Sequence, residues 1–205
     1  MKIICYGDSN TYGYDPVGRP TLRYPEDGRW VDLLAKSLQA DGIEISGVFN
    51  GGQNGREIPA NGWESAEGVA MQLAVATEPG MGDLIIIMLG SNDVLLSGCS
   101  AEKTTEKMRR FLGAVKMEAP GRQILLVAPV SFKEGYWVPD VKTMEESEKL
   151  PELYRELAGD MDVLFADANG WGVELTGDGV HFTKEGHKAY AEGLTKTLKM
   201  WYSIR

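Results

Sequence analysis

Leu84 to Leu89 is an unbroken apolar run, Leu-Ile-Ile-Ile-Met-Leu, closed at once by Gly90 and Ser91. A strand with one wet face alternates apolar and polar residues, so this run reads as a strand buried on both faces. Such a strand sits inside a parallel sheet with helices on each side. The rest of the chain fits that frame. Ile3 to Tyr6, Ile43 to Phe49, Ile124 to Ala128 and Val163 to Ala166 are further strand candidates. Between them, Trp30, Leu33, Leu34 and Leu38 recur at helical spacing, as do Met108, Phe111, Leu112, Val115 and Ala119. Tyr190, Ala191, Leu194, Leu198 and Trp201 mark a last helix, with Thr183 as its expected N-cap. Strand–helix alternation predicts an α/β fold, a three-layer α/β/α sandwich on a parallel sheet.

The 205 residues fit one domain, expected over 1–205. A net charge of −9 argues against a nucleic-acid surface, which needs basic patches. No stretch approaches a membrane span, and the apolar start at Ile3-Ile4-Cys5 is too short for a signal-peptide core. Cys5 and Cys99 make no disulfide framework. A cytoplasmic protein without membrane contact is the expectation.

In open parallel sheets, ligands bind beyond the carboxyl ends of the strands. Ser9 follows the first predicted strand, Asn50 to Gly55 the second, and Gly90 to Asp93 the third, so all three fall on one edge. A serine hydroxyl becomes a useful nucleophile when a base takes its proton. The chain has two histidines, and His181 lies three residues after Asp178, within reach of a carboxylate that could orient it. His187, inside the last predicted helix, is expected on the helix surface. Asn92 through its amide, and Gly55 and Ser9 through backbone N–H groups, could stabilise an oxyanion. Asp93 is expected to hold its loop. Each short motif alone is equally a turn: Gly-Asp-Ser and Asp-Gly both favour one. Two histidines and two distant cysteines reproduce no zinc spacing. The Asn50 to Gly55 segment has asparagine where a dinucleotide loop needs glycine. No metal or cofactor is expected. Asn10 to Gly28 and Pro129 to Asp140 read as long loops at the functional edge. Trp63, Tyr136 and Trp137 are candidates for stacking a sugar, or for ordinary packing.

The four blocks Gly7-Asp8-Ser9, Asn50 to Gly55, Gly90-Ser91-Asn92-Asp93 and Asp178-Gly179-Val180-His181 occur in the order of the SGNH, or GDSL-type, hydrolases, which the chain resembles. The resemblance implies a flavodoxin-like five-stranded parallel sheet, with Ser9 as nucleophile, His181 as base and Asp178 as its orienting acid. It implies Gly55 and Asn92 as oxyanion donors. The segments 83–93 and 178–183 are most similar to the short-chain arylesterase and acyltransferase branch, some of whose members form oligomers. Asn10 stands where the family name implies leucine, and Tyr12 where that branch often has tryptophan. Both flank Ser9 and, with Trp137 and Val180, are the expected substrate contacts. The implied substrate is a small carboxylic ester, such as an acetyl ester. Carbohydrate deacetylation, thioester hydrolysis and lysophospholipid hydrolysis would use the same residues. A binding module that kept the motifs, or a nucleotide-binding protein, are the readings from other classes.

Overall fold

The computed structural model describes residues 1–18, 21–60, 65–78 and 83–203. The strands are β1 (Lys2–Gly7), β2 (Gly47–Gly52), β3 (Leu84–Met88), β4 (Gln123–Ala128) and β5 (Leu164–Asp167). The helices are α1 (Ser9–Tyr12), α2 (Trp30–Ala40), α3 (Ala66–Ala76), α4 (Ser91–Leu95), α5 (Ala101–Glu118), α6 (Val141–Asp160) and α7 (Lys184–Ser203). The strands form one sheet in the order β2-β1-β3-β4-β5, every neighbouring pair parallel. This is the flavodoxin-like order, whose switch point lies between β1 and β3.

The apolar run of β3 divides by parity. Leu84, Ile86 and Met88 pack with Trp30, Val31, Leu34 and Leu38 of α2 and Tyr190, Ala191, Leu194 and Leu198 of α7. Ile85 and Ile87 pack with α3, with Met108, Phe111 and Leu112 of α5, and with Leu150, Tyr154 and Leu157 of α6. Each face of the strand thus meets its own helical layer, as the continuous run requires. Thr183 caps α7 by accepting from the Gly186 N–H at 2.9 Å.

The second strand lies later than the sequence pattern suggests. Ile43 and Ile45 precede it, and Asn50, Gly51 and Gly52 belong to it, paired with Cys5, Tyr6 and Gly7. Those glycines are strand residues because backbone runs close beside them. A Cβ on Gly52 would lie 2.0 Å from the Tyr12 nitrogen. Among the described residues, no helix is long and apolar enough to cross a membrane.

Candidate active site

At the carboxyl end of β1 the chain turns directly into α1. Asp8 caps that turn, its Oδ1 accepting from the Asn10 N–H at 2.9 Å, and Ser9 is the first helical residue. The Ser9 Oγ lies 3.0 Å from His181 Nε2. On the other side of the ring, His181 Nδ1 lies 2.7 Å from Asp178 Oδ2. Asp178 is buried, and its second oxygen accepts the backbone N–H groups of Val180 at 2.8 Å and His181 at 2.9 Å. Burial works against its charge, yet the hydrogen bonds from the His181 ring and from these N–H groups prevail and bring its pKa down to about 2. An ionised Asp178 can hold a proton on Nδ1, which leaves Nε2 to accept the serine proton.

The loop carrying His181 is fastened from two sides. The Lys133 N–H donates to the Gly179 carbonyl at 3.0 Å and the Trp137 N–H to the Asp178 carbonyl at 3.2 Å. From below, the Asn10 carboxamide donates to the Val180 carbonyl at 3.1 Å and accepts from the Phe182 N–H at 3.0 Å.

Asn92 is buried at the start of α4, its Nδ2 donating to the Arg56 carbonyl at 3.0 Å. This ties the third motif to the residue after Gly55. Gly55 has φ +73°, and a Cβ there would meet open space, so its backbone is approachable. Arg56 draws the ends of β1 and β2 together. Its guanidinium donates to the Gly7 carbonyl at 2.8 Å, to the Gly51 carbonyl and to Gln53 Oε1 at 2.9 Å, and lies 4.2 Å from the Tyr6 ring centroid. Asp93 was expected to hold its own loop through local hydrogen bonds; its side chain instead reaches across the fold, accepting from the Ile58 N–H at 3.0 Å.

The expected substrate contacts separate into two groups. Asn10 and Val180 are buried, and the Asn10 carboxamide is engaged with the backbone at Val180 and Phe182. They join the Ser9 turn to the His181 loop where a substrate contact was expected. Tyr12 is partly exposed, with the Arg23 guanidinium 4.1 Å from its ring. Trp137 is 45% exposed and stands edge-on to His181, with ring centroids 4.9 Å apart. Sequence reasoning missed Tyr14, whose ring is 4.6 Å from His181. Its one signal was its place in a tyrosine- and glycine-rich loop after Ser9. Tyr136 is exposed, and Trp63 lies outside the described residues.

His187 corrects an expectation. It is fully buried, its Nδ1 facing the Trp30 N–H at 3.4 Å and its ring packed near Tyr24 and Phe182. Burial, with the charges of His181 and Arg29, pushes its pKa down to about 3. The spacing held the signal, since 187, 190, 191, 194 and 198 form one helical stripe. Among the described residues, no group of three or more His, Cys, Asp or Glu side chains could hold a metal ion.

A flavodoxin-like sheet with a serine, a histidine and an aspartate hydrogen-bonded in series at its carboxyl edge defines an α/β protein with a hydrolase-like site. The chain belongs to the GDSL-like lipase/acylhydrolase family, whose sequence model matches residues 5–189. Among solved structures, it is similar to a carbohydrate acetylesterase from Sinorhizobium meliloti, at 27% identity and a TM-score of 0.81, covering 98% of this chain and 99% of that one. It is also similar to the aryl esterase of M. smegmatis, at 26% identity and a TM-score of 0.78, with the same coverage. A G-D-S-L family lipolytic protein from Veillonella parvula, 18% identical with a TM-score of 0.70 over 96% of this chain and 97% of that one, shares the fold. Among curated proteins, none matches the chain.

Proposed function

We propose that this protein is a serine esterase acting on small, short-acyl carboxylic esters through an acyl-enzyme on Ser9. The observation that carries the reading is the unbroken series from Ser9 Oγ to His181 Nε2 at 3.0 Å and from His181 Nδ1 to Asp178 Oδ2 at 2.7 Å. As Ser9 Oγ attacks the ester carbonyl carbon, its proton passes to His181 Nε2. Asp178 stabilises the imidazolium that forms. The carbonyl oxygen becomes an oxyanion, met by the Asn92 amide and the N–H groups of Gly55 and Ser9. Collapse breaks the ester C–O bond, and His181 protonates the departing alcohol. His181 then takes a proton from water as its oxygen attacks the acyl carbon, and returns it to Ser9 Oγ as the acyl–Oγ bond breaks and the acid leaves.

The acyl or alcohol group would lie against the aromatic wall that Trp137 and Tyr14, with ring centroids 6.3 Å apart, form beside His181. Those rings, with the likeness to a carbohydrate acetylesterase, support a second reading in which the alcohol is an acetylated sugar. Cytoplasmic placement is part of the proposal, supported by free, buried Cys5 and Cys99. So is a single domain over 1–205 that recognises a small molecule rather than nucleic acid, supported by the net charge of −9. Self-association rests on the resemblance alone.

The test is hydrolysis of p-nitrophenyl acetate, butyrate, octanoate and palmitate by wild type and Ser9→Ala, with acetylated sugars alongside. Turnover confined to wild type and falling with chain length is expected. Activity retained by Ser9→Ala would remove the central claim, and a palmitate preference would favour a lipase-like role.

A further inference from the structure

The segment Arg56-Glu57-Ile58, directly after Gly55, is held at three successive residues. Asn92 Nδ2 donates to the Arg56 carbonyl at 3.0 Å. Lys107 Nζ, reaching over from α5, meets Glu57 Oε2 at 3.2 Å. Asp93 Oδ2 accepts from the Ile58 N–H at 3.0 Å. The same Lys107 ammonium also donates to Asp93 Oδ1. The Asp93 side chain has no exposed surface, that of Lys107 is 20% exposed and that of Glu57 33%. Glu57 is pinned in turn by the Ser97 hydroxyl, which donates to its Oε1 at 2.6 Å. One cation therefore joins the carboxylate beside Asn92 to the carboxylate two residues after Gly55.

The geometry points to Lys107 as a positioning residue that sets the distance between the Gly55 N–H and the Asn92 amide. The inference rests on the reading of those two groups as oxyanion donors. Burial pushes the Asp93 carboxyl up, against the pull of Lys107 and the Ile58 N–H, so the carboxylate depends on its counter-ion. Without the ammonium, the buried Asp93 either stays as an uncompensated charge or takes up a proton, and in both cases the link from Asp93 to Glu57 is lost, with Glu57 held by Ser97 alone. The donors would then sit out of place for a charge that exists only in the transition state, so kcat should respond and KM should not.

The experiment measures kcat and KM for p-nitrophenyl acetate in Lys107→Met and Lys107→Arg, each alone and combined with Asn92→Ala. Lys107→Met should lower kcat by roughly 10- to 100-fold, the scale of a misplaced group, with KM changed less than about twofold. Lys107→Arg should recover most of the loss. In the Asn92→Ala background, Lys107→Met should cost much less, because the donor it positions is gone. An unchanged kcat, or an equal loss in both backgrounds, would overturn the assignment in favour of a general packing role. If Lys107→Met does not fold, Glu57→Ala removes the same link from its more exposed end, and the same non-additivity with Asn92→Ala decides. Ser9→Ala runs alongside. Turnover surviving in it overturns the esterase reading and this inference together, whereas its loss with additive Lys107 effects overturns this inference alone.

Discussion

Asn10 and Val180, 170 positions apart in sequence, are joined by a hydrogen bond of 3.1 Å from the Asn10 carboxamide to the Val180 carbonyl. One residue follows Ser9 and the other precedes His181. The same carboxamide accepts from the Phe182 N–H at 3.0 Å, and the Asn10 carbonyl accepts from the Trp30 indole at 2.9 Å. The separation of Ser9 from His181 is thus set by a buried side chain beside the serine.

Asn10→Ala should therefore affect stability and turnover together. It leaves the buried Val180 carbonyl and Phe182 N–H without partners, at about 1–3 kcal/mol for each group. Urea unfolding should show the loss, and kcat should fall as the His181 loop drifts from Ser9. A stability change below about 0.5 kcal/mol, the scale of a neutral surface substitution, would mean that the contacts to Lys133 and Trp137 hold the loop by themselves.

Asn92→Ala removes one proposed oxyanion donor and the hydrogen bond to the Arg56 carbonyl. If the amide meets the developing negative charge, kcat should fall by about 10²–10³ with KM little changed. Steady-state kinetics on p-nitrophenyl acetate decide. An unchanged kcat would leave Asn92 only the task of holding Arg56.

The parts of this protein that were legible in its sequence are those that local chemistry decides. β1, β3 and β4 lie between two helical layers and read as apolar runs for that reason. Ser9, Asp178 and His181 lie in short turns with few alternative partners. β2 was placed too early because its paired residues, Asn50, Gly51 and Gly52, are chosen for close backbone approach and carry no apolar signal. The helix α3 went unseen because Ala, Val, Met and Leu surround it almost completely, which erases the helical period. In α6, charged residues and Pro151 obscure the stripe formed by Leu150, Tyr154 and Leu157. Tyr14 and Lys107 reach the site through tertiary packing, which no spacing along the chain announces, and Arg56, though next to Gly55, shows its role only once its guanidinium meets the Gly7 and Gly51 carbonyls.

Two buried groups near the site pull the pH dependence of stability in opposite directions. His187 has its pKa pushed from 6.5 down to about 3, chiefly by burial. Below pH 6.5 the unfolded chain binds a proton there that the folded protein refuses, so this group lowers stability as the pH falls. Asp8 has its carboxyl pushed from 3.8 up to about 6, again chiefly by burial, against the Asn10 N–H and the charges of His181 and Arg56. Between pH 6 and pH 3.8 the folded protein binds a proton there that the unfolded chain does not. That group raises stability as the pH falls. The two slopes offset each other in wild type just below pH 6. His187→Gln removes one of them, so its stability should rise on acidification from pH 6 to about pH 5, by at most about 1.4 kcal/mol per pH unit. Asp8→Asn should show the reverse, a fall over the same interval. Urea unfolding across that interval measures both. A His187→Gln curve parallel to wild type would mean that the imidazole titrates as it does in water, and that the pocket between Trp30, Tyr24 and Phe182 opens to admit a proton.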